Sequence, residues 1–285
     1  MRQILTDSQV ADGGGVAARV NARGDRVVAS GRGAWVNEQQ VLTDSQVLDD
    51  SGVAADLNDQ GDWVVVSGRG AWVNGEQVLT DSQVADSGGV AAALNGRGDL
   101  VVASGRGAWL NGGQVLTDSQ VLDESGVGAD LDDQGNWVVA SGRGAWVNGQ
   151  QVLTDSQVED GSGAAAAIRS GHWVVASGRG AWVDGAQVLT DSQVEDESGV
   201  AAGINASGGW VVASGRGAWV SGQQVLTDSQ VMDDRTPGAA INEAGSWVVA
   251  GGRGAWVDGD QVLTDSQVAD DGVTSADLND AGDPV

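Results

Sequence analysis

Residues 51–84 read SGVAADLNDQGDWVVVSGRGAWVNGEQVLTDSQV, and this stretch decides the fold because the chain repeats it. Its last six letters, LTDSQV, occur eight times, starting at Leu5, Leu42, Leu79, Leu116, Leu153, Leu189, Leu226 and Leu263. The spacing is 37 residues six times and 36 once, the mark of a repeat array in which each unit buries its apolar face against its neighbours. Between the hexapeptides GRGAW recurs seven times, from Gly31-Arg32-Gly33-Ala34-Trp35 to Gly252-Arg253-Gly254-Ala255-Trp256.

Inside the quoted stretch the punctuation reads as strands and tight turns. Val53 to Leu57 leads into Asn58-Asp59-Gln60-Gly61, Asn first and Gly last as a type I turn prefers. Trp63 to Val66 is a β-branched and aromatic run. Ser67-Gly68-Arg69-Gly70 offers a reversal into Ala71-Trp72-Val73, and Asn74-Gly75, the strongest short hairpin signal, delivers Gln77 to Thr80. Four strands and three tight connections make a meander. The only longer connection begins at Asp81 and carries carboxylates, as at Asp49-Asp50, Asp123-Glu124 and Asp233-Asp234 in other units. One sheet is expected to end there and the next to begin.

Four-stranded sheets repeated about an axis are β-propeller blades. The expected fold is all-β, with no room for helices and with seven complete blades at 14–47, 51–84, 88–121, 125–158, 162–194, 198–231 and 236–268. A terminal half-unit is left over from 1–10 and 272–285. It either completes a thin eighth blade, locks the ring by overlap, or pairs with another molecule. The alternatives are eight blades or an open β-solenoid, since each unit also divides into two similar hairpins.

Composition limits the function. Forty acidic residues against fourteen arginines, with no lysine, give a net charge of −26. That charge opposes nucleic acid and anionic membrane surfaces and favours cationic partners. Without cysteine there are no disulfides, thiolate nucleophiles or Cys-ligated metals. No segment approaches the length of an apolar spanning helix, so no membrane insertion is expected. Met1-Arg2-Gln3-Ile4-Leu5 runs straight into the first repeat, so no secretory leader is expected. One histidine, His172, sits beside the shortened turn Arg169-Ser170-Gly171 and reads as a surface residue. No unit departs from the rest so as to assemble a nucleophile, base and oxyanion donor, and the expectation is a protein without catalytic residues or cofactor.

The twelve tryptophans occupy two places: the GAW position, and the start of the second strand at Trp63, Trp137, Trp173, Trp210 and Trp247. With no Phe or Tyr they are the only large core-fillers, so at least one set is expected between blades.

Two units, Ile204-Asn205-Ala206-Ser207-Gly208 with Ala218-Trp219-Val220-Ser221-Gly222, and Ile241-Asn242-Glu243-Ala244-Gly245 with Ala255-Trp256-Val257-Asp258-Gly259, carry the pattern I-N-x-x-G followed by A-W-x-x-G. This pattern resembles the HAF-type extracellular repeat. The resemblance implies a β-propeller-like, surface or secreted repeat protein with no assigned activity. The SGRG turn and LTDSQV are not part of it.

Those two departures supply the candidate site. Each unit brings the arginine of GRG (Arg32, Arg69, Arg106, Arg143, Arg179, Arg216, Arg253) and the aspartate of TDS (Asp44, Asp81, Asp118, Asp155, Asp191, Asp228, Asp265) together with a GAW tryptophan (Trp35, Trp72, Trp109, Trp146, Trp182, Trp219, Trp256). One reading is structural, with bidentate arginine cross-linking strands. The other is a repeated pocket in which charged, hydroxyl and amide groups beside an aromatic ring bind carbohydrate, weak sites gaining by avidity. The partner expected is thus a carbohydrate or a cationic protein, the alternative a purely structural scaffold, and oligomeric state is left open. No metal site is expected: the acidic loops, such as Asp86-Ser87 and Glu195-Asp196-Glu197, lack calcium-loop spacing. Arg23-Gly24-Asp25 and Arg97-Gly98-Asp99 spell RGD in variable turn positions and read as chance.

Overall fold

A computed structural model describes residues 15–47, 52–84, 89–121, 126–158, 161, 163–194, 199–231, 236–268, 275–279, 282 and 284, with Leu5 and Gln9. Seven sheets follow one another, each of four antiparallel strands in sequence order. Blade 1 consists of Val16–Val20, Arg26–Ser30, Gly33–Val36 and Gln39–Thr43. Blade 3, typical of the array, consists of Val90–Leu94, Leu100–Ser104, Gly107–Leu110 and Gly113–Thr117. Its register pairs Val102 with Ala92 and Trp109, and a bulge falls between Ala108 and Trp109. The chain is a seven-bladed β-propeller.

The second strand of each blade is buried on both sides, which is why it reads as an unbroken apolar run instead of alternating. Side chains alternate across a strand, so Val65 faces the packing layer shared with blade 1, while Val64 and Val66 face blade 3. Both tryptophan sets lie in these layers. The GAW rings are 4–5% exposed, and those opening the second strand 6–8%. In a core otherwise built of Ala, Val and Leu, each indole fills space whose loss would leave a cavity.

Polar contacts tie the first-strand turns into a ladder at one end. Asn21 donates from Nδ2 to the carbonyl of Asn58 at 3.0 Å, Asn58 to Asn95 at 3.1 Å, and Asn95 to Asp132 at 3.0 Å. Asn205 continues it to Asn242 at 3.1 Å. Asp132 has no amide to donate, and there the next unit carries the shortened turn. Ser170 and Gly171 adopt φ of 52° and 84°, a two-residue reversal, and the Gly171 N–H donates to Asp132 at 2.9 Å.

The ring closes through the terminal half-unit. Asn242 donates to the carbonyl of Asn279 at 3.3 Å, while Ala276 and Leu278 pack with Val248, Ala250 and Ala255 of blade 7. On the other side Asp277 accepts the Val20 N–H at 3.1 Å, and Ser275 bonds the Ala18 N–H and carbonyl at 3.4 and 3.3 Å. Residues 275–279 therefore occupy an eighth inner place between blades 7 and 1. At the N-terminal end Leu5 packs on Val28 and Trp35 of blade 1. An open solenoid is incompatible with this closure.

The expectation of no helices needs one correction. A single helical turn follows each blade: Asp44–Val47, Asp81–Val84, Asp118–Val121, Asp155–Val158, Asp191–Val194, Asp228–Val231 and Asp265–Val268. The reason is a capping box. Threonine is the cap, and the glutamine three residues on reaches back to the threonine N–H, as Gln120 does to Thr117 at 3.0 Å. Among the described residues no helix is long and apolar enough to cross a membrane.

Candidate functional site

The GRG turn and the TDSQ turn lie at the same end of each blade, because Gly107 pairs with Thr117 where the third and fourth strands meet. In blade 3 the turn is held by Ser104, fully buried, whose hydroxyl accepts the Arg106 N–H at 3.1 Å. Gln114 crosses from the fourth strand and donates from Nε2 to the Arg106 carbonyl at 3.3 Å. Gly107 is required here. Its φ is +140°, and a Cβ would sit 2.5 Å from the Leu116 carbonyl and 2.6 Å from the Gln114 amide nitrogen. The indole tip of Trp109 closes the same spot, 3.4 Å from that Cβ position.

Thr117, Ser119 and Gln120 form a compact knot: Thr117 Oγ1 lies 3.0 Å from Ser119 Oγ and donates to Gln120 at 3.1 Å. Asp118 accepts the following backbone N–H, from Ser119, at 2.6 Å and stays exposed. The seven GRG arginines are exposed, and so are the seven TDS aspartates. The seven GAW tryptophans are not, so no open ring face is presented to solvent.

These pieces converge on a groove of about 520 Å³ between blades 2 and 3. Arg106, Trp109, Gly112, Gln114, Thr117 and Asp118 come from blade 3, while Ser82 and Gln83 come from the helical turn that follows blade 2. Val84 of that turn is buried against Trp109, fixing one wall on the other. The same docking recurs along the array: Val47 with Trp72, Val121 with Trp146, Val158 with Trp182, Val194 with Trp219 and Val231 with Trp256. Sequence reading grouped Arg, Asp and Trp of one unit. It missed that Ser and Gln of the wall belong to the preceding unit, which only inter-blade packing decides.

The other motifs resolve into structure. Asp25 accepts Asn37 at 2.9 Å and Asn21 at 3.3 Å, and these bonds hold its carboxyl below the usual range. Asp99 is held down the same way by Asn95 and Asn111, and Arg97 pairs with it at 2.8 Å. Both RGD stretches thus have their aspartate engaged in the turn. His172 is exposed and lies 2.7 Å from Asp184. In the central channel Arg169 pairs with Asp130 at 2.9 Å, and Arg19 with Asp56 at 3.7 Å. Burial pushes the Asp56 and Asp277 carboxyls up, and Asp130 above all holds Arg169 more firmly protonated. The acidic-loop carboxylates considered for calcium lie outside the described residues, among which no cluster of three or more His, Asp or Glu is placed to hold a metal.

No protein-family model matches this chain, and no curated protein matches it. Solved lectin structures are similar to it. A lectin from Burkholderia pseudomallei aligns with a TM-score of 0.49 at 13% identity, over 85% of this chain and 93% of the other. The lectin of Aleuria aurantia, a six-bladed β-propeller with a novel fucose recognition mode, aligns at 0.35 and 12%, over 90% and 97%. Scores and identities this low transfer neither blade register nor binding residues.

Proposed function

We propose that this propeller is a non-enzymatic, multivalent carbohydrate-binding protein whose ligand lies in the grooves between successive blades. The observation that carries this reading is the blade 2–blade 3 groove. There an exposed guanidinium (Arg106), a carboxylate (Asp118), an amide (Gln114) and hydroxyls (Thr117, Ser82) line one concavity over a buried indole edge. Polyhydroxylated ligands need such paired donors and acceptors at short range, on a scaffold that does not have to reorganise. The tryptophan acts here as the rigid floor of the groove, and sugar contacts run through the polar rim. The whole-chain charge of −26 favours neutral or cationic glycans over anionic ones. Equivalent sites on one rigid ring raise the avidity for a repetitive glycan by a factor on the order of 10² to 10⁴, provided its repeat spans two grooves.

A scaffold reading also has an observation behind it, the closed hydrogen-bond knot of Thr117, Ser119 and Gln120. A glycan array separates the two. Binding to one class of neutral glycan, abolished in a variant carrying Arg→Ala at every GRG turn with an unchanged melting temperature, supports the binding reading. A blank array with folded wild-type protein overturns it. So does loss of more than about 1.5 kcal/mol of stability in Arg106→Ala, which would make the guanidinium a structural cross-link.

A further inference from the structure

The groove between blades 2 and 3 is composite: one wall comes from the LTDSQV that ends one unit, the other from the GRGAW hairpin of the next. A hairpin therefore needs a hexapeptide in front of it. Within this sequence the repeat in front of blade 1 shows no GRGAW hairpin of its own, while the blade 1 hairpin Gly31–Trp35 is complete. What precedes it is the first of the eight hexapeptide copies, starting at Leu5.

Two observations place Leu5 and Gln9 of that copy where the wall belongs. Leu5 is 9% exposed and packs on Val28 and Trp35, as Leu42 joins Val65 and Trp72 of blade 2 in one packing layer. Gln9 is helical and half-buried, as Gln46 and Gln83 are at the equivalent places 37 and 74 residues on. At the other end of the chain Gln267, whose helical turn faces no further GRGAW hairpin within this sequence, is exposed.

We infer that Leu5 and Gln9 of the N-terminal hexapeptide supply the missing wall of the first groove, with Gln9 as its lining residue, so that this chain carries seven equivalent binding grooves. The inference rests on the glycan reading for its ligand and on packing alone for its geometry. The leftover half-unit then has two separate duties: residues 275–279 close the inner ring, and the copy beginning at Leu5 completes a site on the rim.

The geometry is tested without ligand. In hydroxyl-radical footprinting of the full-length chain, Leu5→Ala raises the oxidation of Trp35 several-fold and leaves Trp72, Trp109 and the other GAW tryptophans at their wild-type level. Trp35 as protected in Leu5→Ala as in wild type overturns the inference. The ligand arm uses native mass spectrometry with methyl glycosides of glucose, galactose, mannose and fucose. Wild type and Gln267→Ala reach seven bound copies of the tightest glycoside, and Gln9→Ala and Gln230→Ala reach six. Seven copies on Gln9→Ala with six on Gln230→Ala overturns the assignment of Gln9. If wild type binds no glycoside, the glycan reading falls, and the Trp35 footprint still decides whether the first groove has its wall.

Discussion

In blade 3 the outer strand is sealed by a full neighbour: Leu116, 1% exposed, packs with Val121 against Leu131, Trp137, Val139 and Trp146 of blade 4. Its counterpart in blade 7, Leu263, is only half-buried against a small cluster that includes Ala276 and Leu278. The inner rim is polar at both places. Between blades 2 and 3 an asparagine amide spans it and Asp56 accepts the Leu94 N–H at 2.7 Å; at the seam Asp277 accepts the Val20 N–H at 3.1 Å and Ser275 bonds Ala18. Similar repeats thus meet through apolar burial and polar rim contacts along the ring, and among the described residues the outer-strand leucine of blade 7 is less enclosed than that of blade 3. Burial sets the stability of the array, so the half-buried Leu263 should contribute less than the enclosed Leu116.

The largest expected effect breaks this comparison at its apolar end. Leu116→Ala should cost about 2–5 kcal/mol, because the site is fully enclosed. Leu263→Ala should cost no more than about 1.5 kcal/mol, roughly half the transfer value of a fully buried leucine. Urea unfolding followed by tryptophan fluorescence measures both. Equal costs would mean that the seam is sealed as tightly as an interior interface.

A smaller effect compares the polar rims. Asn95→Ala strands the Arg97 and Asp99 N–H groups and removes one of two donors to the Asp132 carbonyl, which keeps the Gly135 N–H, at about 1–3 kcal/mol. Asp277→Ala removes the acceptor of the Val20 N–H and of its own neighbour Leu278, and should act locally. The Val20 amide should exchange faster with solvent while global stability falls by only about 1 kcal/mol. A global loss as large as that of Asn95→Ala would make the seam the keystone of the ring.

The smallest effect is the pH dependence, whose sign differs between turn and seam. Asp25 and Asp99 have folded values below 3.8, so the stability they add is present above 3.8 and lost as pH falls through their lowered values. Asp277 is displaced upward, chiefly by burial, so its ionised form costs stability above its raised value. That cost disappears as pH falls through the raised value toward 3.8. Asp277→Asn should therefore stabilise the seam near neutrality and lose its advantage on acidification. Amide exchange at Val20, followed against pH, reads this directly, and a pH-independent difference would refute it.

Much of this was legible in the letters. Asn74-Gly75 takes φ of 51° and 88°, the type I′ geometry its dipeptide foretells. The run Trp63 to Val66 lies inside a strand because it is apolar on both faces and bounded by turn residues. The helical turns were missed because TDSQ follows a strand directly and is too short for periodicity to show. The signal was there as the capping-box spacing of Thr80 and Gln83. For the site, the residue types were readable but not their grouping. Ser82 and Gln83 lie more than twenty residues before Arg106 in the chain, and spacing along one unit cannot say which unit supplies a wall.

By itself the sequence determined the repeat, the four-strand meander and the tight turns, because those depend on local backbone preference and on period-two burial, both written in adjacent residues. Only the tertiary structure decided that both tryptophan sets are buried, that the groove between blades 2 and 3 is shared between units and that residues 275–279 take an inner place between blades 7 and 1. Those outcomes depend on which surfaces meet when the ring closes. Eight copies of LTDSQV are the same string, and what each becomes is set by the neighbour against which it packs.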